Sequence, residues 1–209
     1  MAALIAFLET AVTCENEYMT SAGAHLNESL DHPTIALVIG VSGSGKSTVG
    51  SMLAGRLGWP YAEADDFHST ANREKMAAGH ALTDEDRWPW LESIAAWMDE
   101  RIAEGSSAVV TCSALKRVYR DLLVDGRSQV RLVYLQGSRE LIASRLAARQ
   151  EHFFPPQLLE TQFAILEEPT EDEHPIVVPI GREAAELVDE IVEQLSDESG
   201  DDHRDGTSE

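Results

Sequence analysis

The chain has 209 residues, 43% hydrophobic and 25% charged, which fits a single globular domain and excludes a disordered polymer. Its formal net charge is −21 and its lysines are only Lys46, Lys75 and Lys116, a balance that opposes nonspecific binding to nucleic acid or to a membrane surface. Two cysteines, Cys14 and Cys112, cannot build a disulfide framework, and no run approaches the ~18 apolar residues of a membrane span, so the chain reads as cytoplasmic.

Residues 1–33 mix a short apolar stretch with polar, turn-prone sequence and are expected to form a flexible extension. Met1 to Leu8 is apolar, but no Lys or Arg precedes it and Glu9 interrupts it, which makes a poor secretory signal. Met19 offers an alternative start. The run Ile35 to Ile39 is continuously apolar and closed by Gly40, as suits a strand buried on both faces of a parallel sheet.

Gly40-Val41-Ser42-Gly43-Ser44-Gly45-Lys46-Ser47 then matches the phosphate-loop pattern G-x-x-x-x-G-K-[ST], and Thr48 follows it. The glycines let successive N–H groups turn toward a polyphosphate, and the helix expected from Lys46 to Leu57 adds its positive N-terminal end. In this setting Lys46 reaches the β and γ phosphates of ATP and the Ser47 hydroxyl is a candidate Mg²⁺ ligand. A glycine-rich turn without a ligand is the weaker reading, because loop, preceding strand and following helix all agree.

A second strand is expected from Tyr61 to Ala64, ending in the acids Asp65 and Asp66 on the edge where parallel sheets collect ligands. Alternation along a strand would put Glu63 and Asp65 on one face, as an acceptor for Mg²⁺-bound water and a proton acceptor, with Asp66 turned away if the strand persists. Pro89 suits the first turn of a helix running to Glu104. Ala108 to Cys112 reads as a third strand. Lys116, Arg117 and Arg120 follow it, a cluster of cations suited to an anionic acceptor. Cys112 reads as a small buried residue rather than a nucleophile.

A fourth strand is expected from Val130 to Leu135 and a helix from Ser138 to about Arg149. Arg145, Arg149 and His152 close that helix. An arginine there, on a flap over ATP, would neutralise transferring charge and exclude water. Ile176 to Val178 makes a fifth strand, Glu183 to Leu195 a closing helix, and residues 196–209 an acidic disordered tail. This alternation predicts an α/β fold with a five-stranded parallel sheet and helices on both faces. The guanine-reading N-K-x-D pattern is absent, which turns the reading from a switch GTPase to a small-molecule kinase.

These residues resemble the gluconate kinases of the phosphate-loop kinase group, related in fold to shikimate and nucleoside monophosphate kinases. The similarity spans roughly Ile35 to Leu195. It rests on Gly40 to Thr48, Asp65 to His68, Asn72 to Met76, Leu82 to Leu91, Cys112 to Arg117 with Tyr119 to Leu123, and Arg149 to Phe163. The resemblance implies transfer of the γ-phosphoryl of ATP to D-gluconate, with Mg²⁺, by a cytoplasmic homodimer. It further implies that Asp65 is the candidate base, that Asp66, His68, Arg73, Lys116, Arg117 and Arg120 lie near the sugar acid, and that Arg149 belongs to a lid near residues 149–168. The kinase domain would then cover residues 34–195. One departure is Ser69, where the family often has proline. A kinase for another small acid such as shikimate, or an ATP-binding regulatory protein without turnover, are the alternatives.

Overall fold

The computed structural model describes residues 32–148 and 156–198. In chain order the elements are β1 (Ile35–Ile39), α1 (Lys46–Leu57), β2 (Tyr61–Glu63), a 3-10 turn (Ala64–Phe67), α2 (Thr70–Ala77), α3 (Asp84–Ala103), β3 (Ala108–Cys112) and α4 (Arg117–Val124). They continue with β4 (Val130–Gln136), α5 (Arg139–Ala148), α6 (Pro156–Ile165), a 3-10 turn (Glu171–Glu173), β5 (Ile176–Pro179) and α7 (Ala184–Glu198). The strands form one sheet in the order β2-β3-β1-β4-β5, and every pairing is parallel. The fivefold parallel sheet between helical layers is the predicted α/β architecture.

Strand β1 lies at the centre, with Ile35 opposite Ala108 on one side and Val130 on the other, and all five of its residues are buried. Its side chains alternate between two separate cores. Ala36 and Val38 meet Val49, Leu53 and Leu57 of α1 and Leu187, Ile191 and Leu195 of α7. Ile35, Leu37 and Ile39 meet Leu91, Ile94 and Met98 of α3 and Tyr119 and Leu123 of α4.

Helix α1 approaches the sheet closely at Gly50. A Cβ there would sit 2.4 Å from Thr111 Cγ2 and 3.0 Å from Tyr61 Cε2. Gly50→Ala is therefore expected to destabilise by about 1–3 kcal/mol through overpacking, less up to ~1 kcal/mol gained in helix propensity. Thermal denaturation reads this as a loss of a few degrees, and an unchanged midpoint would mean that α1 can retreat from the sheet.

Of the boundaries that differ from the sequence reading, three have a visible cause. Helix α3 begins five residues upstream of the expected proline, because Thr83 and Asp86 form a reciprocal capping box and Asp84, Glu85 and Asp86 fill the first turn. Pro89 sits inside the helix on an exposed face, where water can satisfy the carbonyl it leaves unbonded. Strand β2 stops at Glu63, and Asp65 and Asp66 belong to the 3-10 turn instead. Trp90 Nε1 donates to the Ala64 carbonyl at 2.6 Å and draws the chain off the strand path. Helix α7 runs on through Ser196 to Glu198, with Ser196 Oγ donating to the Val192 carbonyl at 2.8 Å. Of the expected extension at residues 1–33, lid at 149–168 and tail at 196–209, residues 1–31, 149–155 and 199–209 lie outside the described residues.

Candidate active site

The loop between β1 and α1 is shaped by glycines at positive φ: Gly40 at 151°, Gly43 at 86° and Gly45 at 99°. A Cβ at Gly43 would lie 2.7 Å from Leu146 Cγ, and one at Gly40 would lie 2.7 Å from Ser44 Oγ, so neither position has room for a side chain. Gly45 caps α1 without any side-chain acceptor, which leaves the first N–H groups of that helix facing outward from the loop. Lys46 Nζ donates to the Val41 carbonyl at 3.1 Å, folded over the loop it follows. Ser44 Oγ is buried without a hydrogen-bond partner. A glycine-shaped loop packed too closely for side chains, set at a helix N-terminus and with an orphaned hydroxyl in its wall, fits a polyphosphate.

The loop forms one wall of a cleft of about 350 Å³. Lys46 and Ser47 face it from one side, Glu63 and Asp65 from the end of β2, and Thr111, Cys112 and Ser113 from the end of β3. The topology explains the convergence. Strand order reverses at β1 and β3, and a crevice opens at the carboxyl ends of parallel strands at such a point. Glu63 and Asp65 thus share the cleft, but through the turn at Ala64 rather than through strand alternation. Asp66 does not line it.

Glu63 is held by Tyr61, whose hydroxyl donates to Oε1 at 2.8 Å. Burial, with the neighbouring Glu63 charge adding to it, pushes the Tyr61 hydroxyl up to about 12, so it stays a donor across the physiological range. Cys112 at the cleft floor is also pushed up to about 12 by burial, which removes it as a nucleophile, as the sequence reading expected. Among the described residues no group of three or more His, Cys, Asp and Glu could hold a metal ion. Ser47 and Glu63 on one cleft still fit Mg²⁺, which keeps several waters and needs few protein ligands.

The turn after β2 is fastened from α2. Arg73 Nη2 donates to the Asp66 carbonyl at 2.7 Å and Nε to the His68 carbonyl at 3.1 Å, so the guanidinium organises the turn's backbone. Ser69, the departure from the family pattern, caps α2 by accepting from the Asn72 N–H at 3.2 Å. His68 is buried, stacked on Trp90 with centroids 4.4 Å apart, and its Nδ1 has no partner. Burial holds its imidazole below the ordinary value.

The cation cluster after β3 is largely engaged within the protein. Lys116 Nζ contacts both Asp84 oxygens at 2.9 and 2.8 Å, and Tyr119 donates to the same carboxylate at 2.6 Å. Arg117 pairs with Asp121 at 2.6 Å and Asp172 at 2.8 Å. Arg120 is 1% exposed, makes a two-pronged pair with Glu173 at 2.5 and 2.9 Å, and donates to the carbonyls of Ala114, Leu115 and Glu167. Burial alone would raise the Glu173 carboxyl, but the hydrogen bonds from Arg120 and the Thr170 N–H, with the nearby guanidinium charges, hold it below its ordinary value. Arg117 and Arg120 therefore face the segment carrying Glu167 and Asp172, not the cleft, and Lys116 is shared with Asp84.

On the nucleotide side, Arg145 of α5 donates to the Ile180 carbonyl at 2.5 Å, and its Nη1 lies 3.9 Å from the point a Gly45 Cβ would occupy. Arg149 lies outside the described residues. Gln162 of α6 was not singled out as a site residue, yet its Oε1 accepts from the Ser42 N–H at 2.7 Å and its Nε2 donates to Ser42 Oγ at 2.9 Å, joining α6 to the loop. No periodicity marks such a contact across 120 positions of chain.

Residues 35–169 match the AAA domain family. A protein from Mus musculus named probable gluconokinase is 43% identical over 183 residues, covering 79% of this chain and 100% of its own length. The thermoresistant gluconokinase of Escherichia coli is 45% identical over 146 residues, covering 69% of this chain and 82% of its own. A solved gluconokinase from Sinorhizobium meliloti superposes with a TM-score of 0.72 at 41% identity, covering 80% of this chain and 94% of that one.

Proposed function

The chain belongs to the gluconokinase family, with an AAA domain at residues 35–169, and on that premise we propose that its cleft transfers the γ-phosphoryl group of ATP to D-gluconate, giving 6-phospho-D-gluconate and ADP. The observation that carries this reading is the shared cleft, in which Glu63 and Asp65 stand across from Lys46 and Ser47. Asp65 takes the proton of the acceptor hydroxyl as its oxygen bonds to the γ phosphorus and the bridging P–O bond to ADP breaks. Lys46 and the loop N–H groups balance charge on the transferring group, and Arg145 lies beside them. Ser47 and Glu63 would hold Mg²⁺, which when bound neutralises phosphate charge.

His68 supports the acceptor side of the site, and Asp66 and Arg73 hold the turn that presents Asp65. Lys116 borders the same region through Asp84. Arg117 and Arg120 support it from behind, by fixing the segment around Glu167. We assign residues 34–195 to the kinase domain, residues 149–168 with Arg149 to a lid, and the whole to a cytoplasmic homodimer without nucleic-acid or membrane partners. The net charge supports the last point, and among the described residues no helix is long and apolar enough to cross a membrane. Size-exclusion chromatography with light scattering reads the dimer.

ADP release across a panel of sugar acids and shikimate tests the activity. Gluconate is expected to stimulate it most; a shikimate preference, or ATP binding without acceptor-dependent release, would replace the reading. Lys46→Ala is expected to lower kcat by ~10²–10³ with the fold retained by circular dichroism. A variant keeping a tenth of the wild-type rate would remove Lys46 from the transfer step.

A further inference from the structure

With the cluster after β3 engaged and Arg73 held by backbone carbonyls, one cation on the acceptor side has neither an acid nor a hydrogen-bond acceptor among the described residues. Arg87 lies on the first turns of α3 and, among the described residues, its guanidinium makes neither an ion pair nor a hydrogen bond; its contact is the Tyr119 ring, 5.7 Å from Cζ to the centroid. In a chain with 37 acidic residues, an unpaired arginine that is partly buried stands out. A partly buried guanidinium with its fork unoccupied is a planar donor that a carboxylate matches best.

Arg87 does not line the cleft itself; it sits among the side chains of α3 and α4 that meet at Tyr119. Asp84, one helical turn before it, faces Tyr119 from the same side of α3, and Trp88 meets the Tyr119 ring edge-on at 5.5 Å. The charge of Arg87 is felt by Tyr119, by His68 and by Cys112 at the cleft floor, where the charges of Lys46 and Asp65 also converge. The buried His68, stacked on Trp90 of α3, leaves Nδ1 without a partner.

Resting on the sugar-acid reading of the preceding section, we infer that Arg87 binds the carboxylate of the acceptor. The acid end of the molecule then lies against α3 and its reacting hydroxyl at Asp65. This orientation keeps the acceptor's negative charge away from the transferring phosphoryl, where like charges would repel. The unpartnered His68 nitrogen is left for an acceptor hydroxyl.

The test compares kcat/KM for D-gluconate and for its uncharged analogue D-gluconamide in the wild type, Arg87→Gln and Arg87→Lys, with KM for ATP measured alongside. Arg87→Gln is expected to raise KM for gluconate by roughly 10–100-fold, the range of a lost charge-assisted hydrogen bond, while gluconamide and ATP values move less than about threefold. The preference for the acid should collapse in that variant and return in part in Arg87→Lys. Equal losses on both acceptors, or a preference that survives Arg87→Gln, would overturn the assignment and make Arg87 a packing residue against Tyr119. If wild-type enzyme turns over neither acceptor, the sugar-acid reading itself falls and the Arg87 inference with it.

Discussion

Asp65→Asn is expected to lower kcat with gluconate by ~10²–10⁴ while KM for ATP hardly moves, the range a positioned general base contributes. Asp65 is exposed, lies in a 3-10 turn and faces the same cleft as Lys46 and Ser47. Asparagine keeps its shape and its place in that turn but cannot accept the hydroxyl proton. Asp66→Asn should cost far less, because the Asp66 side chain does not line the cleft and its carbonyl, which the substitution retains, is what Arg73 grips. Steady-state kinetics on both variants decides between them; a larger kcat loss for Asp66→Asn would move the base to the other acid.

Arg120→Ala is expected to cost about 3–5 kcal/mol of folding stability, the usual result of removing one member of a buried ion pair. It would strand the Glu173 carboxylate, whose side chain is 7% exposed, and leave the Ala114, Leu115 and Glu167 carbonyls short of a donor. For a domain of this size that is a melting-point loss of roughly 6–20 °C. Should the variant fail to fold, Arg120→Met combined with Glu173→Leu removes both charges and should recover part of the loss. A variant that melts within a degree or two of wild type but binds gluconate poorly would return Arg120 to the acceptor site.

The same pair has a pH signature. The Glu173 carboxyl is held below its ordinary value in the fold, so its contribution is fully present above the unfolded value of about 4.3 and is lost as pH falls through the lower folded value. Glu173→Gln should therefore differ from wild type in melting point at neutral pH and converge with it in acid.

How much of this was legible in the residues depends on the range of the interactions. The five strands and the phosphate loop are local patterns, apolar runs and glycine spacing, and they appear where the sequence puts them. The end of β2 was misplaced by one residue because the Trp90 indole, 26 positions away, takes the Ala64 carbonyl. Pro89 suits a first helical turn, but the helix starts at the capping box of Thr83 and Asp86 before it. Lys116, Arg117 and Arg120 were read by charge alone. Only the Arg117–Asp121 pair lies at the helical spacing a sequence shows; the other acids stand at Asp84, Asp172 and Glu173, and nothing in the spacing announces pairings over 32 to 55 positions. Arg87 shows the converse: three acids precede it in sequence, yet Asp84 and Asp86 turn to Lys116 and Lys75 instead.

The division of the interior into two cores separates the two substrates' machinery. Helices α1, α5 and α7, which support the phosphate loop and Arg145, pack on one side of the sheet, while α3 and α4, which carry Arg87, Trp90 and Tyr119 and are joined at Lys116, the N-cap of α4, pack on the other. The groups assigned to the acceptor side also fall in one continuous stretch, from Asp65 to Lys116, between β2 and α4. A donor-binding half could thus be kept while that stretch diverges. Such an arrangement lets one ancestral scaffold acquire new acceptors by changing a single contiguous segment, and makes exchange of that segment between relatives a natural route to altered substrate choice.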